Sequence, residues 1–323
     1  MSPSADRPDA IRPPALQAGD VVAVVSPSGP APADRVAVGV SLLRSWGLRP
    51  VPGTHTFDQH GYLAGSDAGR LADLSAALAD PVVRGVLVTR GGYGVQRIVD
   101  RIDVAALRRD PKPVVGFSDL TALHLALWQR GRLASIYGPG AAWRPERTGT
   151  ASAQSLRQAL MSAEPAVIKQ EPADATAPVT RVGRAGPVAT GTLLGGNLCL
   201  LTATLGTVDF PDLTGAVLLL EEVDEPPYKV DRMLTQLRRA GALTGLAGVA
   251  VGQFVGCTDR WQTDVVDVLR DRLGDLGVPV LGGLPIGHGL GQLTVPLGVP
   301  CVLDVSAGTL TAAPAVLPPA RRR

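Results

Sequence analysis

The stretch GFSDLTALH (116–124) sets Ser118 directly after the β-branched run PKPVV (111–115) and His124 six residues further on. A serine and a histidine are the parts of an acyl-transfer nucleophile and its base. If 119–131 is helical, however, six residues turn His124 by ~600°, equivalent to ~240°, away from the serine. A direct hydrogen bond is not expected, and His124, between two leucines, reads as a packed helix histidine. Ser118 keeps two readings. A serine before Asp-Leu-Thr-Ala-Leu is an ordinary helix N-cap, the commoner role. The less common reading is also coherent: a sharp strand-to-helix turn at the carboxyl end of a parallel sheet, with free helix N–H groups behind the serine for an oxyanion.

Three further stretches carry chemistry-bearing residues. In LPIGHGLGQ (284–292), His288 lies between two glycines in a loop, and is the most base-like of the four histidines. His55 and His60 stand in a polar loop with no nucleophile nearby. In LLLEEVDEPPYKVDR (218–232), Glu221 and Glu222 follow three leucines, and strand alternation sends them to opposite faces. One then points inward and needs a partner, unless the strand simply ends in solvent. TRGGYG (89–94) is a glycine-rich strand end. It fits neither the dinucleotide fingerprint nor a P-loop, and is either a plain turn or a set of backbone N–H groups close to a ligand.

The elements needed to position these residues can be read from periodicity. VVAVVSPSG (21–29) is a continuous apolar run of the kind buried on both faces of a parallel sheet. Residues 33–47 and 67–81 have helical spacing, LRPVPG is a short strand, 84–94 a further strand, and 119–131 a helix. That alternation predicts an α/β fold with an N-terminal Rossmann- or flavodoxin-like parallel sheet over 1–165. The polar, proline-rich stretch 166–187 is predicted as a link. A second, strand-rich α/β domain is predicted over 188–323, with 190–206 as a turn into a helix.

Composition limits the partners. With 31 Lys+Arg against 29 Asp+Glu the net charge is +2, which argues against nucleic acid or an anionic membrane. Only Lys112, Lys169 and Lys229 are lysines, which reads as compositional bias. The basic ending PPARRR reads as a solvated tail. Cys199, Cys257 and Cys301 are far apart, without metal-ligand spacing, and suit a reducing compartment. The first twenty residues lack the apolar core of a secretory signal, and no apolar run reaches the ~18–20 residues of a membrane span. A soluble, cytoplasmic protein is expected.

Taken in order, VVSPSG, TRGGYG, GFSDLTALH, GTLLGGNL, LEEVDEPPYKVDRML and PIGHG resemble the LD-carboxypeptidase family of serine peptidases, from about Val21 to about Val305. The resemblance implies Ser118 as nucleophile, Glu221 as the orienting carboxylate and His288 as general base, with the backbone N–H groups of Gly92 and Asp119 as oxyanion donors. Asp119 would thus contribute its amide, its side chain being secondary. The assignment of Glu221 rather than Glu222 rests on family position. The implied reaction is hydrolysis of an L–D peptide bond in a murein tetrapeptide, releasing D-alanine through an acyl-enzyme, without metal or organic cofactor. A related branch of the family acts on peptide-nucleotide antibiotics of the microcin C type, and a catalytically silent small-molecule binder is the reading from another class. Arg90 is a candidate for the substrate carboxylate by position only. Family members often form dimers, so a homodimer is among the expectations.

Overall fold

The computed structural model describes residues 10–319; the start of the leader (1–9) and the last four residues of the basic tail lie outside the described residues. Apolar runs become the first sheet. β1 (Val21–Val25) leads into α1 (Ala33–Ser45), then β2 (Arg49–Pro52), α2 (Asp67–Ala79), β3 (Val83–Val88), α3 (Val104–Arg109), β4 (Val114–Gly116), α4 (Thr121–Gly131) and β5 (Ser135–Tyr137). These five strands are parallel in the order β2-β1-β3-β4-β5, the flavodoxin-like order of a doubly wound sheet. Along β1, Val22 and Val24 enter one core cluster while Ala23 and Val25 enter another. Strand alternation with both faces buried explains why the run is apolar throughout.

α5 (Pro145–Met161) carries the chain to the second sheet, built from β6 (Ala166–Lys169), β7 (Val188–Asn197), β8 (Ala216–Val223), β9 (Gly248–Val255) and β10 (Val280–Leu281), with α6 (Leu198–Thr204), α7 (Pro227–Arg239) and α8 (Val265–Leu273) between them. After β10, β11 (Val295–Leu297) returns to the first sheet and pairs antiparallel with β5. β12 (Pro300–Asp304) and β13 (Thr309–Ala312) complete the second sheet, in the order β10-β9-β8-β7-β12-β13-β6. One apolar cluster draws on both sheets, including Val22, Val24 and Ile136 from the first and Leu193, Val217 and Leu219 from the second.

Two expectations change here. Residues 190–197, expected as a turn, form the inner part of the ten-residue strand β7. Their glycines mark close approach rather than a bend: a Cβ on Gly195 would lie 2.1 Å from Leu219 O, and one on Gly196 would lie 2.8 Å from the Tyr137 ring. The stretch 166–187, expected as a link, is built into the second sheet. β6 pairs with β13, and Arg181 bridges to Val280. The hydroxyl of buried Thr176 accepts from Gly283 N (2.8 Å), and its one proton lies between Asp174 Oδ1 (2.8 Å) and Gly252 O (3.0 Å). Polar side-chain-to-backbone ties hold this stretch, so it has no apolar period to read. Because β11 crosses back, the two halves are not separated at one point in the chain.

Thr176→Val, which keeps the shape and deletes those ties, should lower stability by about 1–3 kcal/mol. The urea-unfolding midpoint measures this, and a midpoint equal to the parent's would contradict the built-in placement.

Candidate active site

β4 ends at Gly116, Phe117 is extended, and Ser118 then takes φ +65° before one 3₁₀ turn leads into α4. A left-handed conformation at a residue with a Cβ costs on the order of 1–2 kcal/mol, and strain of this kind gathers at functional sites. The Ser118 side chain caps no helix N–H, and its amide instead donates to Tyr137 Oη at 3.1 Å. The N-cap reading therefore does not hold. The TRGGYG loop passes directly over the serine: a Cβ on Gly91 would lie 2.8 Å from Ser118 Cβ and 3.0 Å from its Oγ. Gly92 also lines the cavity in front of Ser118.

Glu221 leaves β8 fully buried and is held on both oxygens. Oε2 accepts from His288 Nδ1 at 2.6 Å, and Oε1 accepts from Tyr137 Oη at 2.7 Å. With Nδ1 engaged, Nε2 is the imidazole nitrogen left for proton transfer. His288 and Ser118 line the same cavity of about 140 Å³, and the Phe117 ring packs 4.9 Å from the imidazole. The glycines flanking His288 are dictated by contact. A Cβ on Gly287, which has φ +123°, would lie 2.6 Å from Glu221 Oε2. One on Gly289 would strike the Gln253 amide, whose Oε1 accepts from Gly289 N at 2.8 Å.

Glu222 faces the other way and is also buried, so neither glutamate emerges into solvent. It accepts from Asn197 Nδ2 (2.8 Å), Cys199 N (2.8 Å) and Val223 N (2.9 Å). Burial pushes its carboxyl up to about 7 against those three donors. His124 is the packed helix histidine expected. Its Nε2 donates to Gly116 O, its Nδ1 accepts from Ser135 Oγ, and desolvation lowers its pKa to about 4.

The Asp119 side chain has more to do than expected. It is buried, and Oδ2 accepts from Ser28 Oγ (2.7 Å) and Val95 N (3.0 Å). It thereby ties the turn after β4 to the loops after β1 and β3. Tyr137 was missed altogether: nothing in SIYGPG (135–140) sets its tyrosine apart from an ordinary strand aromatic. Its hydroxyl, fully buried, connects the Ser118 amide to the Glu221 carboxylate.

Comparison with known proteins gives this arrangement its class. Residues 22–138 match the family model described as LD-carboxypeptidase N-terminal domain, and 190–303 match the LD-carboxypeptidase C-terminal domain. A Streptomyces coelicolor protein named as a carboxypeptidase is 45% identical over 306 residues, covering 93% of this chain and 96% of that protein. The murein tetrapeptide carboxypeptidase of Pseudomonas aeruginosa is 30% identical over 300 residues, covering 88% and 92%. Among solved structures, the microcin C7 self-immunity protein in complex with aspartyl sulfamoyl adenosine shares the fold. Its TM-score is 0.82 at 22% identity, covering 94% of this chain and 98% of that one. The chain is a serine-type peptidase. It belongs to the LD-carboxypeptidase family.

Tyr137→Phe leaves a buried Glu221 oxygen and the Ser118 amide without their shared partner. A stability loss of about 1–3 kcal/mol is expected, read by chemical denaturation, and an unchanged midpoint would contradict the bridge.

Proposed function

We infer that this protein hydrolyses the L–D peptide bond of murein tetrapeptides, releasing terminal D-alanine during cell-wall recycling in the cytoplasm. The observation that carries the reading is the buried Glu221–His288 hydrogen bond of 2.6 Å, beside a cavity shared with the strained Ser118. Relatives named as carboxypeptidases support the substrate class. The three free cysteines fit a reducing compartment.

In this reading Ser118 Oγ attacks the scissile carbonyl carbon while His288 Nε2 takes its proton. Glu221 holds Nδ1–H, fixes the tautomer and stabilises the imidazolium as it forms. The tetrahedral oxyanion is met by the amides of Gly92, on the cavity wall, and Asp119, opening the turn after Ser118. His288 then returns its proton to the amine of the departing D-alanine, and the C–N bond breaks to leave an acyl-Ser118 ester. A water, deprotonated by His288, attacks that ester and frees the shortened peptide and the serine. Tyr137 acts through others, as a positioning residue. A binder without chemistry would have no use for a serine held at positive φ beside a carboxylate-oriented histidine. Likeness to the microcin C7 immunity protein is one of fold, so the peptide-nucleotide substrate is not preferred.

Ser118→Ala should lower D-alanine release from a murein tetrapeptide by at least ~10⁴-fold with no loss of thermal stability. Release at the parent rate would overturn the reading. Faster turnover of a peptidyl-adenylate analogue than of the tetrapeptide would transfer the same chemistry to the other substrate class.

A further inference from the structure

The cavity beside Ser118 is lined by four arginines from separate parts of the chain: Arg35 on α1, Arg90 after β3, and Arg144 and Arg147 at the start of α5. None of them forms an ion pair among the described residues. Arginines that hold the framework elsewhere are paired: Arg97 with Asp67, Arg130 with Asp209, Arg238 with Asp275. The cavity arginines are kept close with no carboxylate in ion-pair contact among the described residues. Desolvation, then the charges of Arg144 and Arg35, hold Arg90 below the usual guanidinium range. Desolvation and Arg144 do the same to Arg147, partly offset by Asp224 and Glu221.

Backbone ties fix where these arginines stand. Trp143 N donates to Arg35 O (3.2 Å), and Gly291 N donates to Arg147 O (2.9 Å), joining the arginine segment to the His288 loop. A further lining residue carries a donor buried behind the surface. Gln292 is 3% exposed, and its buried Nε2 has no acceptor. Four lining arginines, with an unsatisfied amide NH₂ buried beside them, make a donor-rich cavity that suits an acceptor-rich ligand. A carboxypeptidase substrate brings one carboxylate of necessity, and a single carboxylate accepts one guanidinium fork or two. Four arginines exceed that need.

Resting on the carboxypeptidase reading of the site, we propose that Arg35, Arg90, Arg144 and Arg147 receive two substrate carboxylates. One is the chain terminus. The other is a free acidic group on a neighbouring residue, so the site selects peptides whose side-chain carboxyl is not amidated. A primary amide at that place would leave arginine donors facing an NH₂ group. That mismatch discriminates more strongly than a lost contact alone.

Isothermal titration of the Ser118→Ala protein tests this without hydrolysis. The probes are a tetrapeptide ending in D-alanine with a free carboxyl on its third residue, and the same peptide with that carboxyl as a primary amide. The free acid should bind at least ~10-fold more tightly, and adding Arg35→Gln or Arg144→Gln should shrink that ratio. Equal affinities, or no binding of either peptide, would overturn the proposal. D-alanine release by the parent protein keeps the two readings separate. Equal release from both peptides sinks the selectivity while hydrolysis stands. No release from either, with the binding ratio intact, sinks the hydrolase reading and keeps the anion receptor.

Discussion

The Glu221 carboxylate is where the two sheets are joined. It is fully buried at the end of β8, and an ionisable group there must be partnered or it destabilises the fold. One oxygen takes Tyr137 Oη from the last parallel strand of the first sheet, and the other takes His288 from the loop after β10. Much else follows from satisfying that group. Gly287 is bare because Glu221 Oε2 occupies the space of a side chain. The backbone of β9 closes in as well: a Cβ on Gly252 would lie 2.3 Å from Ile286 O and 3.3 Å from Glu221 Cβ. A histidine aimed by such a packed carboxylate loses little orientational freedom on meeting substrate, which is what preorganisation means physically.

The second constraint is the left-handed turn at Ser118. Strain of this kind persists only where neighbours over-determine the backbone. Here the Ser118 amide is held by Tyr137, the next residue is anchored through its side chain to Ser28 and Val95, and Gly91 leaves room for the serine itself. The same tyrosine thus serves the serine's backbone and the histidine's carboxylate, so Ser118 and the Glu221–His288 pair are set from one atom. The helix behind the serine opens without a side-chain cap, and the 3₁₀ turn supplies acceptors instead: Leu120 N donates to Phe117 O and Thr121 N to Ser118 O.

The parallel sheet was legible because strands buried on both faces must be apolar throughout, as VVAVV and RGVLV are. The place of Ser118 was legible because a β-branched run ending in Gly-Phe-Ser ahead of an apolar helix allows few geometries. The local G-H-G loop singles out His288 as the most base-like histidine, and the ordered motifs select Glu221 over Glu222. What escaped reading was what only three dimensions bring together. Tyr137 ends a three-residue strand, and its hydroxyl matters only because β7 and β8 pass close by. Gly195 and Gly196 signalled a turn locally, whereas their real cause lies on a neighbouring strand and on Tyr137. In sequence Asp119 reads as an amide donor with a secondary side chain, because its partners, Ser28 and Val95, are remote in the chain. The cavity arginines arise from separate segments, in a chain whose basic residues are nearly all arginine, so composition hid them.

In the proposed function, Ser118 is made nucleophilic by a histidine from the other half of the chain. The most direct measurement is labelling with a fluorophosphonate small enough for the cavity, with the adduct located by peptide mass spectrometry. One adduct is expected, on the peptide containing Ser118, in the parent protein, with labelling at least ~10²-fold slower in His288→Ala. An adduct elsewhere, or a rate on Ser118 indifferent to His288, would contradict it.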